Sequence, residues 1–214
     1  MKIILALICM FFIQAPISSA FVEQRTISEI NLSISYPLVY TDNAESQELI
    51  NSDIANFVYD IKDRYDSGDY YSANMKYDTT YEDNNVVSIV LKTYVVRYPG
   101  AAHGMSWNSG LVYNKITGER IPLSNYVHIK SPEQIQQNLS NGVLSAYNEN
   151  MTRNYFFRET VWSVKKISQN YILAGNGTIY LLYPPYSIGP YSSGTIRVKF
   201  TPTAIDYLER GYKK

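Results

Sequence analysis

The chain has 214 residues, 19 basic side chains against 19 acidic ones, 21 tyrosines, two histidines and one cysteine. With no net charge and no polybasic run, it is not expected to partner nucleic acid or an anionic membrane. Two histidines are too few for a three-histidine zinc site, and one cysteine excludes a disulfide framework.

The first twenty residues read as a secretory leader. Lys2 precedes an apolar run from Ile3 to Ile13, Pro16 breaks it, and Ser18-Ser19-Ala20 supplies the small residues expected before a cut at Phe21. The run is shorter than the ~20 residues that span a bilayer. Cys9 lies inside it without the small neighbour of a lipoprotein site, so the expected mature chain is thiol-free and unanchored. Tyrosine abundance suits half-buried strands and wet binding faces, since the ring is apolar and the hydroxyl polar.

Thr26 to Val39 alternates Leu32, Ile34 and Tyr36 with polar neighbours and predicts one half-exposed strand, loosened at Pro37. Asp42-Asn43 caps a helix over Ala44 to Tyr65, with an apolar stripe of Leu49, Ile50, Ile54, Phe57, Val58, Ile61 and Tyr65. Its other face, with Glu45, Glu48, Asp53, Asp60 and Asp63, reads as solvated. Ser67-Gly68-Asp69 ends it.

Asn74 to Glu82 alternates with Met75, Tyr77, Thr79 and Tyr81 on one side, and Asp83-Asn84-Asn85 turns the chain into Val86 to Tyr98. The near-continuous apolar run Val86 to Leu91 predicts a central strand covered on both faces. Met105 to Asn114 should pair antiparallel to it, followed by a turn at Lys115 to Glu119. Ser131-Pro132 caps a helix whose buried stripe is expected to run Ile135, Leu139, Val143, Ala146 and Tyr147. Phe156 to Lys166 is ambiguous between a short helix and an irregular connection. Tyr171 to Ala174 and Thr178 to Tyr183 form a hairpin, a Pro-, Gly- and Tyr-rich loop spans Pro184 to Gly194, Thr195 to Phe200 is a last strand, and the rest reads as a tail.

One segment has an unusual composition: Tyr98-Pro99-Gly100-Ala101-Ala102-His103-Gly104. Proline and glycine permit a sharp corner, and His103 between small residues could project a titratable ring, or fix the corner by bonding backbone. Trp107, Tyr113, Tyr186 and Tyr191 flank this corner or the late loop, where rings can stack on sugars or anchor a protein. His103, Gly104, Trp107, Tyr113, Tyr186 and Tyr191 are the candidate ligand-binding set. No catalytic residue, metal ligand or cofactor is assigned: there is no His-Glu-x-x-His, no Gly-x-Ser-x-Gly and no phosphate-cradling glycine loop. Carboxylate pairs such as Asp53 with Asp60 lie on faces expected to be exposed.

Gly100 to Gly104, Tyr113 to Leu123, the helix capped at Ser131 and Ile188 to Gly194 together resemble a bacterial extracytoplasmic family. It is the domain shared by lysozyme-sensing anti-sigma factors and by peptidoglycan deacetylases, where it precedes the catalytic domain. Ile27 to Tyr98 is similar to the family's small N-terminal lobe. The resemblance implies an α+β fold and an envelope-linked binding role. It leaves out a transmembrane helix, a cytoplasmic segment and a deacetylase domain after Phe200, so the binding domain is expected to stand alone.

The expected architecture is α+β, an antiparallel sheet packed by two main helices. A leader at 1–20 precedes a small N-terminal lobe at 21–98 and a larger C-terminal lobe at 99–214. The expected role is a secreted or periplasmic non-catalytic module for a lysozyme-like protein or a cell-wall glycan. The alternatives are an envelope hydrolase using His103 with a carboxylate, and a purely structural exported domain.

Overall fold

The computed structural model describes residues 22–212; the leader reading falls on residues outside these. Among these described residues ten strands form two five-stranded sheets, and three α-helices cover their outer faces.

The first sheet has the order β1-β2-β3-β4-β5. The single strand expected over 26–39 is a hairpin, β1 (Val22–Glu29) and β2 (Leu32–Val39). The break is the two-residue turn Ile30-Asn31, with Asn31 at φ 62°, a left-handed conformation that asparagine tolerates. Pro37 does not end β2; it lies opposite Gln24, beyond the last residue of β2 that pairs with β3.

Helix α1 (Ala44–Asp66) crosses over to β3 (Ser72–Glu82), which runs parallel to β2. Its N-cap is Asn43, whose side chain accepts from the Glu45 amide at 3.0 Å. Ile50, Ile54, Val58 and Ile61 are buried against the sheet, with Phe57 and Tyr65 partly so, while Leu49 is exposed rather than part of the stripe. Asn51 holds the end of β2 like a strand partner, accepting from the Val39 amide and donating to its carbonyl, both at 2.8 Å.

β3 pairs antiparallel with β4 (Val86–Val96), and β4 with β5 (Met105–Asn114). The predicted alternation of β3 breaks at a bulge: Thr79 faces Ile89 and Tyr81 faces Ser88, so Thr80 is the extra residue. One inserted residue reverses every side chain after it, so Tyr81 leaves the α1 face and packs against the other core. The turn at 83–85 is made by the Asp83 carboxylate, which accepts the Asn85 and Val86 amides at 2.8 Å each. β4 is covered on both faces as its apolar run predicts. Val87, Ile89, Leu91 and Val95 lie under α1, and Val90 meets Ile172 and Leu182 of the second sheet.

The second sheet is antiparallel throughout, in the order β7-β6-β10-β9-β8. Its strands are β6 (Ser145–Tyr147), β7 (Arg153–Asn154), β8 (Tyr171–Leu173), β9 (Ile179–Tyr183) and β10 (Ile196–Phe200). Helix α2 (Pro132–Ser140) starts at Ser131 as the cap signal predicts, its hydroxyl accepting from the Gln134 amide at 3.3 Å. It ends seven residues before the predicted stripe does. Gly142 at φ 77° turns the chain, and 145–147 enter the sheet, Ala146 through its strand face. The ambiguous 156–166 segment holds two 3-10 turns, Phe156–Arg158 and Thr160–Trp162.

The residues expected to be a tail form α3 (Pro202–Tyr212), with Ala204 and Leu208 buried in the core. The fold is α+β as expected; among the described residues a third helix joins the two main ones, and the sheet is two stacked sheets. The order of layers is α1, first sheet, second sheet, then α2 with α3.

The sheets meet closely where β8 crosses β4 and β5. The Asn170 amide donates to the Asn108 carbonyl and accepts from the Gly110 amide, both at 2.6 Å, closing the backbone of β5. A side chain at Gly110 would run into the Tyr171 carbonyl, so glycine sets how near the sheets come. Ser88 accepts from the Leu173 amide at 3.0 Å on the same seam.

Candidate functional site

The corner at 98–104 joins β4 to β5, and its geometry is fixed by two tyrosines from different parts of the chain. Tyr94 accepts from the Gly104 amide at 3.1 Å, and Tyr191 donates to the Gly104 carbonyl at 2.6 Å. His103 donates from Nδ1 to the same carbonyl at 2.8 Å and lies over the Tyr191 ring, centroids 4.4 Å apart. Tyr186 extends the row, 5.6 Å from Tyr191. Tyr186 is 60% exposed and takes φ 67°, an uncommon conformation for a bulky residue. Burial, then the charges of Tyr94 and Tyr186, hold the Tyr191 hydroxyl above its ordinary value, so it stays a proton donor.

Of the six sequence candidates, four therefore gather: His103, Gly104, Tyr186 and Tyr191. Two do not. Trp107 faces the opposite side of β5 and packs with the α1 core. Tyr113 is fully buried there, 0% exposed, and donates to Asp53 at 2.8 Å. Its ring has no free face to offer a ligand. Asp53 in turn accepts from Arg120 Nε at 2.5 Å, so it is a tertiary anchor rather than part of a solvated acidic face. Arg120 lies over Tyr113 and Phe57 at 5.1 and 5.5 Å.

His103 has no carboxylate within hydrogen-bond reach among the described residues; its partners are a carbonyl and a ring. The acid–base pair that a hydrolase reading requires is not assembled there. No group of three His, Asp or Glu among the described residues could hold a metal.

Beside the tyrosine row lies a cleft of about 400 Å³ that sequence reasoning missed. Its floor is the part of the first sheet that the second sheet leaves uncovered: Asn74, Lys76, Lys92, Tyr94, Ser106 and Asn108. Glu149, Tyr191, Ser192 and Gly194 close it from the second sheet's loops. Lys76 and Lys92 stand directly opposite each other across β3 and β4, a like-charge pair that costs stability unless compensated. Lys92 is paired to Asp78, whereas Lys76 has no acidic partner among the described residues.

Asn108 is only 4% exposed, yet its Nδ2 has no hydrogen-bond partner among the described residues. A buried amide donor left unmade costs roughly 1–3 kcal/mol. In sequence the only trace of this floor was the polar residues at alternate positions of β3, β4 and β5. Their convergence depended on the register of three strands.

A family model described as Deacetylase PdaC matches residues 24–106, and one described as a protein of unknown function, DUF3298, matches residues 118–201. Among solved structures, a DUF3298 family member from Bacteroides fragilis NCTC 9343 is 12% identical, with a TM-score of 0.54 over 89% of this chain and 92% of that one. A DUF3298 family protein from Pseudomonas aeruginosa PAO1 is 13% identical, with a TM-score of 0.55 over 88% and 92%. These likenesses establish the fold. No functionally curated protein matches the chain. The cleft lies where the two matched regions meet, its floor mostly from the first and its loops from the second.

Proposed function

For a chain that joins a PdaC-type region to a DUF3298 region, we propose the role of an exported, non-catalytic binding module whose ligand is an anionic envelope glycan, a peptidoglycan fragment seated in the cleft between the two regions. The observation that carries this reading is the unpartnered Asn108 amide beside the Lys76–Lys92 pair. An amide donor and an uncompensated cation suit a sugar acetamido carbonyl and a stem-peptide carboxylate. Tyr94, 44% exposed, supplies a ring on which a pyranose can stack, with Tyr191 bordering the same cleft. Concave sites at the boundary of two regions, with a few convergent polar groups, are where small ligands bind.

The test is calorimetric titration of the mature protein with a disaccharide-peptide muropeptide, with lysozyme as a second arm. Muropeptide binding tighter than about 1 mM, roughly −4 kcal/mol, weakened about tenfold by Asn108→Ala, supports the reading. Binding of lysozyme alone makes the ligand a protein, and binding of neither removes the envelope reading.

A further inference from the structure

A second cavity, distant from the glycan cleft, is built to different chemistry. It has a volume of about 350 Å³ and opens where the β3–β4 turn, the 123–126 turn, the β8–β9 hairpin and α3 come together. Val86, Leu173, Ile179 and Ile205 make its apolar floor, and Tyr81, Asp83, Asn125 and Tyr126 stand around it. The volume lies at the small end for ligand pockets, and an apolar body with a few placed polar groups is their usual make-up.

Three features at the polar end agree in sign. The Asp83 carboxylate accepts the Tyr81 hydroxyl at 2.6 Å. Lys115, whose charge reaches Asp83, is 6% exposed and committed: its Nζ donates to Glu82 Oε1 at 3.1 Å and to the Asp83 carbonyl at 2.6 Å, and the Asp83 carboxylate has no direct ion pair among the described residues. The Tyr126 hydroxyl has no hydrogen-bond partner among the described residues. Tyr126 and Asp83 line the same cavity, and burial first, then the charges of Asp83 and Tyr81, raise the Tyr126 phenol. The bulge at Thr80 brings Tyr81 here at all; without it the ring would point to α1 with Tyr77. Bulges recur beside binding sites because they re-aim a side chain.

We propose that this cavity binds a small primary amine carried on an aromatic or branched aliphatic body, with the ammonium on Asp83 between Tyr81 and Tyr126 and the body on Val86, Leu173, Ile179 and Ile205. The ammonium donates to the carboxylate and to the open lone pairs of the Tyr126 oxygen. An anion of the same size is repelled by Asp83 and finds no free cation.

The test is an NMR titration of the mature protein with phenethylamine, 2-phenylethanol and 3-phenylpropionate. Phenethylamine is expected to shift the amides of 81–86 and 173–179 saturably, with 3-phenylpropionate at least tenfold weaker and the alcohol between. Asp83→Asn keeps the turn acceptor for the Asn85 and Val86 amides and should erase the preference for amine over carboxylate. Ile205→Trp should fill the floor and abolish binding of all three, with thermal melting confirming that it folds. Equal affinity for amine and carboxylate, binding undiminished in Ile205→Trp, or no saturable shift with 10 mM phenethylamine would each overturn the assignment.

Discussion

Tyr191 donates its phenolic proton to the carbonyl of Gly104 at 2.6 Å, across 87 positions of sequence. That bond ties the 98–104 corner to the 184–194 loop and holds one wall of the cleft beside them. Tyr191→Phe keeps the ring on His103 and removes the bond. It is expected to cost about 1 kcal/mol of stability, read by urea denaturation, with faster amide exchange at 100–104 and 186–194. Unchanged exchange in those two segments would show that the bond does not organise the wall.

Gly110 tests how the sheets stack. Gly110→Ala forces a methyl against the Tyr171 carbonyl, and overpacking of this kind costs about 1–3 kcal/mol or more. Gly142→Ala is a useful contrast, since nothing lies near its added methyl and only its positive φ resists the change. Chemical denaturation should rank Gly110→Ala as the more damaging of the two.

Asp53 joins α1 to the edge strand β5 and the segment after it through Tyr113 and Arg120, 60 and 67 residues away. Asp53→Ala strands a buried phenol donor, an expected loss of about 1–3 kcal/mol. With Arg120→Met in a double-mutant cycle, a coupling of at least 0.5 kcal/mol is expected; additivity of the two changes would mean that they act apart.

Stability should fall at both ends of the pH range, for separate reasons. Against the burial that would raise it, the Tyr81 hydroxyl, the Asn85 and Val86 amides and Lys115 hold the Asp83 carboxyl below its ordinary value. A depressed folded value stabilises above about pH 4, and that contribution is lost as pH falls through the folded value. Burial pushes the Tyr183 phenol up to about 12 and raises Tyr113 and Tyr171 as well. Their contribution is complete below about pH 10 and is lost as pH rises beyond it, because the unfolded chain ionises first. Melting temperatures measured across pH should decline on both limbs, with Tyr183→Phe blunting the alkaline one.

Residues close in sequence settled a good part of this molecule. The polar turn at 83–85, the central β4 run and its antiparallel partner β5 lie where their patterns place them, as do the caps at Asn43 and Ser131. Each rests on hydrogen bonds or periodicity within a few residues. The α3 signal was equally local: Thr201 accepts from the Ala204 amide at 3.2 Å ahead of Pro202, the arrangement that opens α2 at Ser131-Pro132.

The rest was decided by contacts between distant segments. Gly142 cut α2 short so that 145–147 could join β10, the Thr80 bulge turned Tyr81 to the second core, and Asp53 left its solvated face for Tyr113 and Arg120. Periodicity says which residues share a face but not what meets that face, because register and layer stacking are set by burial across the whole chain. So the aromatic corner was visible in the amino-acid order, whereas the two cavities exist only because the sheets stack as they do.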